Sequence, residues 1–103
     1  FQEVDEALKQ KLSKVIFEGP EKELLLTENA QPALLIHSTI ALNMLRENGI
    51  NATIAAGHSL GEYSANVAAG SIQFLDAVRL VNLRGRFMQE AVPVGLGGMA
   101  AII

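Results

Sequence analysis

Residues 55–63 read AAGHSLGEY and place Ser59 between Gly57 and Gly61 at the spacing G-x-S-x-G. A serine hydroxyl becomes a nucleophile when the backbone lifts it clear and a base can take its proton. A sharp strand-to-helix turn does the lifting. Residues 52–56 are short and apolar and end at Gly57, the pattern of a buried parallel strand. After Ser59 come Gly61, Ser64, Ala65, Ala68 and Ala69, a small-residue helix that Gly70 ends. Glycines on both sides of the serine would relieve crowding between strand and helix. The first free N–H groups of that helix would face the space above the hydroxyl. A tetrahedral intermediate formed there would hold its negative oxygen close to the Leu60 N–H and the positive end of the helix dipole. The blander alternative is that Ser59 only caps the helix. Glu62 sits in the first turn, where the dipole favours an acid in either case. His58 is adjacent in sequence, but its side chain would point away from an elbow nucleophile, so it is not expected to be the base.

A second residue stands out by its place on a helix. Residues 76–91 form a continuous helical pattern followed by Pro93. At about 100° per residue, Ala77, Leu80, Val81, Phe87, Met88 and Ala91 fall within about 60° of Arg84, while Arg79 and Arg86 fall on the opposite side. Arg84 is therefore expected in the middle of an apolar face, with Arg79 and Arg86 in solvent. A buried guanidinium needs an anion, and its planar fork fits a carboxylate with two parallel hydrogen bonds. That carboxylate could come from a protein side chain, as a structural ion pair, or from a ligand. In the second case Arg84 would hold a free carboxylate on a substrate whose other end meets Ser59.

Other elements must hold these two residues in place. Residues 1–17 carry Val4, Leu8, Leu12, Val15 and Ile16 at helical intervals and predict one amphipathic helix, ended by Gly19-Pro20. Residues 21–26 allow a further turn or two. The polar residues 27–29 suit a helix start, and Pro32 is expected in its first turn, where a missing N–H is harmless. This helix runs to Gly49 and is apolar nearly all round, which predicts a central, buried position. His37 within it reads as structural rather than catalytic. Gly95, Gly97 and Gly98 connect to an apolar run, residues 99–103, expected to be a strand. The order helix, helix, strand, helix, helix, strand predicts α/β architecture.

The chain has 103 residues, and half are hydrophobic, which allows one small folded domain and excludes a disordered chain. Eight basic against 11 acidic residues give a charge of −3, so there is no electrostatic case for nucleic acid or an anionic membrane as a partner. No apolar run is long enough to cross a bilayer, and the start lacks the regions of a signal peptide. The absence of cysteine excludes a disulfide scaffold and thiolate metal sites. These features suit a cytoplasmic protein. The first residue is Phe, and the last five are apolar without a polar cap, which predicts an internal piece of a larger protein.

GHSLGEYSA, then DAVRLVNLRGRFMQEAVP, then GGMAAII, with QPALL at residues 31–35, closely resemble the malonyl-CoA:acyl-carrier-protein transacylase family. Acyltransferase domains of polyketide and fatty acid synthases share this pattern. The resemblance implies transfer of malonyl from coenzyme A to the phosphopantetheine thiol of an acyl carrier protein through a malonyl-serine. Ser59 matches the nucleophile, Arg84 the arginine that binds the malonyl carboxylate, and Leu60 the residue whose N–H forms part of the oxyanion hole. The family's histidine base lies beyond Ile103 and its second oxyanion donor before Phe1; neither His37 nor His58 takes the base's position. The implied fold is part of an α/β-hydrolase-like domain over residues 1–94. Residues 95–103 would be the connection into, and first strand of, a ferredoxin-like subdomain. No metal or bound cofactor is implied; the coenzyme A thioester is a substrate. The rival readings are a serine hydrolase or thioesterase with the same elbow, an acyltransferase domain of a polyketide synthase, and a non-catalytic module whose serine only caps a helix.

Overall fold

The chain is organised about one 21-residue helix, α4 (Thr27–Glu47). A computed structural model describes every residue from Phe1 to Ile103. Three short helices precede α4: α1 (Gln2–Leu8), α2 (Leu12–Glu18) and α3 (Glu21–Leu24). Two follow it, α5 (Gly61–Ala68) and α6 (Phe74–Ala91). α6 lies along α4, α1 packs on α6, α2 and α3 pack on α4, and α5 sits in the angle between α4 and α6. Their shared core is Val4, Leu12, Leu35, Ile36, Leu60, Ala77, Val78 and Val81. No helix is long and apolar enough to cross a membrane.

The single helix expected over residues 1–17 is instead two. Lys9 turns into the left-handed region at φ 54°, and the Asp5 carboxylate accepts hydrogen bonds from the Ser13 N–H at 2.9 Å and from the Ser13 hydroxyl. Asp5 thereby satisfies a free N–H in the first turn of α2. The break lets Val4 and Leu12 both reach the core.

Pro32 lies deeper than expected, as the sixth residue of α4 rather than in its first turn. Without an N–H it leaves the Glu28 carbonyl, four residues back, without its helical donor. Asn82 of α6 fills the gap, its Nδ2 donating to Glu28 O at 3.0 Å. At the other end Gly49, at φ 77°, donates to Arg46 O, and Ile50 donates to Leu45 O, each at 3.0 Å. This paired closure is the stop that Gly49 implies.

Two further expectations are corrected. α4 buries only Gln31, Pro32, Leu35 and Ile36; Leu34, Ile40, Met44 and Leu45 are exposed, because its neighbours pack along one side. Neither predicted strand forms. Residues 52–56 are exposed and outside regular structure, with Ile54 87% accessible, and residues 99–103 are exposed throughout. A strand exists by pairing its N–H and C=O groups with a neighbouring backbone, and neither run meets one among these residues. The elements that residues 1–103 form among themselves are all helices, and the strands of the expected α/β arrangement are not among them.

Candidate active site

Ser59 has φ 52°, in the left-handed region that a non-glycine residue enters at a cost of about 1–3 kcal/mol. The strain belongs to a tight corner. The Gly61 N–H donates to His58 O at 2.8 Å, Glu62 to Ser59 O at 3.2 Å and Tyr63 to Leu60 O at 2.9 Å, so the first turn of α5 closes immediately beyond the serine. A Cβ on Gly57 would lie 1.9 Å from the carbonyl carbon and oxygen of Gly61 and 2.4 Å from the Glu62 nitrogen. Position 57 therefore has room only for glycine. Gly61 has nothing within 4 Å of its own Cβ position. The crowding that was expected to require glycine on both sides of the serine requires it on one.

The Ser59 hydroxyl does not cap α5. Leu60, not Ser59, stands at the N-cap of α5, no side-chain cap bond is made there, and the Ser59 hydroxyl accepts from Arg84 Nη2 at 3.1 Å. Leu60 buries its side chain in the core at 8% exposure. Its N–H donates to no backbone or side-chain acceptor, which leaves it available beside the hydroxyl.

Arg84 is half-buried and held on three sides. Besides Ser59, its Nη1 donates to Gln31 Oε1 at 2.6 Å, and its Cζ lies 5.8 Å from the centre of the Tyr63 ring. A guanidinium over an aromatic face is attracted by the ring quadrupole. All three partners are neutral. The ion pairs of the molecule are Lys14–Glu18, Asp76–Arg79 and Glu28–Arg86, so no protein carboxylate neutralises Arg84 and the structural ion-pair alternative is not realised. Arg79 and Arg86 are solvent-facing, as the helical wheel requires.

The wheel is off in one respect. The face of α6 that is buried carries Ala77, Val78, Val81 and Gly85, while Leu80, Phe87 and Met88 are exposed to 46%, 59% and 36%. Close approach selects the small residues. A Cβ on Gly85 would lie 2.6 Å from Thr27 O and 2.7 Å from Glu28 Cα, so α6 meets the start of α4 backbone to backbone. Arg84 then lies at the edge of the buried face, between the core and an open apolar groove that also includes Tyr63, Leu83, Phe87 and Met88.

Sequence reasoning missed Gln31 and Tyr63. Gln31 is only 7% exposed and uses both ends of its amide, Oε1 on Arg84 and Nε2 donating to Met88 Sδ at 3.1 Å. The available signal was its position one turn before Leu35, in line with the buried stripe of α4. Tyr63 stands one turn after Ser59 on the same reasoning. His58 lines the cavity in front of Ser59 together with Thr27, Gln31 and Ser38, but makes no hydrogen bond to the serine; His37 is exposed on α4 beside Phe17 and Met44. No group of three or more His, Cys, Asp or Glu side chains is arranged to hold a metal ion.

A serine held in the left-handed region at the entry to a helix, with glycine required two residues before it, has the backbone geometry expected of a corner that lifts a hydroxyl clear of the chain. The chain belongs to the acyl transferase domain family, which it matches over residues 1–103. It is 59% identical over its full length to the malonyl CoA-acyl carrier protein transacylase of Bacillus subtilis (strain 168), covering 32% of that protein. Among solved structures, an acyl carrier protein S-malonyltransferase from Vibrio cholerae O1 biovar eltor superposes with a TM-score of 0.84 and 45% identity, over 92% of this chain and 31% of that one. A type II polyketide-synthase acyl-carrier protein in complex with its malonyl-transacylase matches with a TM-score of 0.83 and 50% identity, over 90% of this chain and 30% of that one. The chain thus spans about a third of the length of the relatives it matches.

Proposed function

We propose that this chain carries the nucleophile and the carboxylate clamp of an enzyme that moves malonyl from coenzyme A to the thiol of an acyl carrier protein. The observation that carries the reading is the un-neutralised Arg84 guanidinium 3.1 Å from the Ser59 hydroxyl. The Ser59 Oγ attacks the thioester carbonyl and loses its proton to a base. The negative oxygen of the tetrahedral intermediate sits near the Leu60 N–H at the start of α5. Expulsion of the coenzyme A thiolate, which takes up a proton, leaves malonyl on Ser59; the carrier-protein thiol then attacks and regenerates the hydroxyl. Throughout, Arg84 pairs with the distal carboxylate. For this the carboxylate must enter between Arg84 and Ser59 and replace their direct hydrogen bond.

On this reading the base and the second oxyanion donor come from outside residues 1–103, as the resemblance implies. Residues 52–56 would pair as a strand of an α/β-hydrolase-like sheet supplied by the same larger protein. Residues 95–103 would lead into its ferredoxin-like subdomain. The reaction requires no metal and no bound cofactor, and its substrates suit a cytoplasmic enzyme. A thioesterase would use the same elbow, but a cation with no protein counter-charge favours a substrate that brings its own anion.

The test is covalent labelling of the intact protein by malonyl-CoA carrying a label in the acyl group. Label should remain on the wild-type protein through denaturation and be absent from Ser59→Ala. Equal labelling of the two, or release of free malonate without any carrier protein, would overturn the assignment.

A further inference from the structure

We infer that Met88 is a positioning residue for the acyl specificity of this site, acting through Gln31 on Arg84. The inference rests on the reading above, that Arg84 holds the malonyl carboxylate. The observation is a chain of three hydrogen bonds. Gln31 Nε2 donates to Met88 Sδ at 3.1 Å, Arg84 Nη1 donates to Gln31 Oε1 at 2.6 Å, and Arg84 Nη2 donates to Ser59 Oγ at 3.1 Å. The two ends of a glutamine amide are nearly identical in shape, so hydrogen-bond partners, not sterics, decide which end points where. A guanidinium offers only donors and needs the amide oxygen. The thioether is a weak acceptor and favours the amide nitrogen at the opposite end. Gln31 is 7% exposed, which leaves water little access to either end. With the sulfur gone, the amide nitrogen would be buried without a partner, at a penalty that loosens the arrangement holding Arg84.

Met88 itself is 36% exposed and contributes nothing to the buried core. Its thioether is therefore separable from its packing. Leucine has similar volume and no acceptor, and swaps of this kind are well tolerated. Glutamine has similar length and a stronger acceptor.

The experiment measures the rate of Ser59 acylation in the intact protein by malonyl-CoA and by acetyl-CoA, for wild type, Met88→Leu, Met88→Gln, Gln31→Leu and the Met88→Leu/Gln31→Leu double variant. Met88→Leu should lower malonyl acylation by about three- to tenfold, the net contribution of one ordinary hydrogen bond, and leave acetyl acylation within about twofold. Met88→Gln should recover most of the malonyl rate. In the Gln31→Leu background, Met88→Leu should have no further effect, since the two residues act as one unit. Equal loss for both thioesters, or a Met88→Leu effect that persists without Gln31, would assign Met88 to packing and overturn the inference. Failure of the underlying reading looks different: wild type would show no preference for malonyl over acetyl before any variant is made, and the role of Met88 would fall with it.

Discussion

Arg84 Nη2 and Ser59 Oγ lie 3.1 Å apart across 25 residues of sequence, joined by the packing of α6 and α5 against α4. The hydroxyl thus spends its hydrogen-bonding capacity on a cation and not on the helix it precedes. A capping serine would turn its hydroxyl onto the N–H groups of the helix's first turn; this one faces a guanidinium that no protein carboxylate pairs.

The first prediction concerns that cation. Arg84→Ala in the intact protein should lower kcat/KM for malonyl-CoA by roughly a hundredfold or more, as loss of one partner of a partly desolvated charge pair does. Acetyl-CoA brings no carboxylate, so its rate should be unchanged or higher. Steady-state rates with both thioesters check this. An unaltered malonyl-to-acetyl ratio would remove Arg84 from substrate recognition.

Gln31→Glu supplies the second. The new carboxylate would stand where Oε1 now lies 2.6 Å from Arg84 Nη1 and neutralise the guanidinium from within. It would then compete with the malonyl carboxylate for the same fork. KM for malonyl-CoA should rise by about tenfold, the value of a charged hydrogen bond lost to a competitor, while kcat for acetyl-CoA stays within about twofold. A change confined to kcat for both substrates would mean that Gln31 serves the fold and not the clamp.

The sequence disclosed the two residues whose types are unusual for their positions and hid those whose types are ordinary. Ser59 announces itself through its glycines, and Arg84 through a charge on an apolar helix face. Gln31 and Tyr63 have no such contrast, because an amide near a helix start and a ring in a helix are common, and only tertiary packing aims them at Arg84. The helices were legible because their hydrogen bonds are local, which is why α4 and α6 form where they were expected, although the faces they bury differ from the expected ones. The break at Lys9 was not, since it depends on Asp5 reaching Ser13 across eight residues. The strands failed for the converse reason: residues 52–56 carry a strand's composition, but pairing needs a second backbone that composition cannot supply.

The glycines of the elbow give the third prediction, a contrast within one motif. Gly57→Ala would drive a Cβ into the Gly61 carbonyl, 1.9 Å away, and no flexible side chain is there to move aside. The corner must open, so labelling of Ser59 by malonyl-CoA should be abolished even in protein that stays soluble. Gly61→Ala meets open space at the first residue of α5. It should retain labelling within a few-fold and gain about 0.5–1 kcal/mol from reduced backbone entropy in the unfolded chain. Labelling together with urea denaturation separates the two; equal tolerance of both substitutions would mean that the tight corner is not required.

The last prediction concerns how α6 is held in register with α4, which sets the height of Arg84 over Ser59. Pro32 deprives the Glu28 carbonyl of its helical donor, and Asn82 Nδ2 replaces it at 3.0 Å. Asn82 lies two residues before Arg84, so the bond fixes the same turn of α6 that carries the guanidinium. Asn82→Ala should destabilise the intact protein by about 1–3 kcal/mol, the penalty for a carbonyl left unpaired in a part-buried site. It should also weaken malonyl transfer through the loss of register. The mechanism has a specific signature in a double-mutant cycle. Pro32→Ala restores an N–H four residues beyond Glu28, so the carbonyl regains a donor from its own helix. Pro32 is buried, and its replacement has its own cavity cost, but the cycle cancels that term. Asn82→Ala should therefore cost about 1 kcal/mol less in the Pro32→Ala background than in wild type. Additive effects in urea denaturation would show that Asn82 contributes by packing alone and that the proline and the asparagine are not coupled.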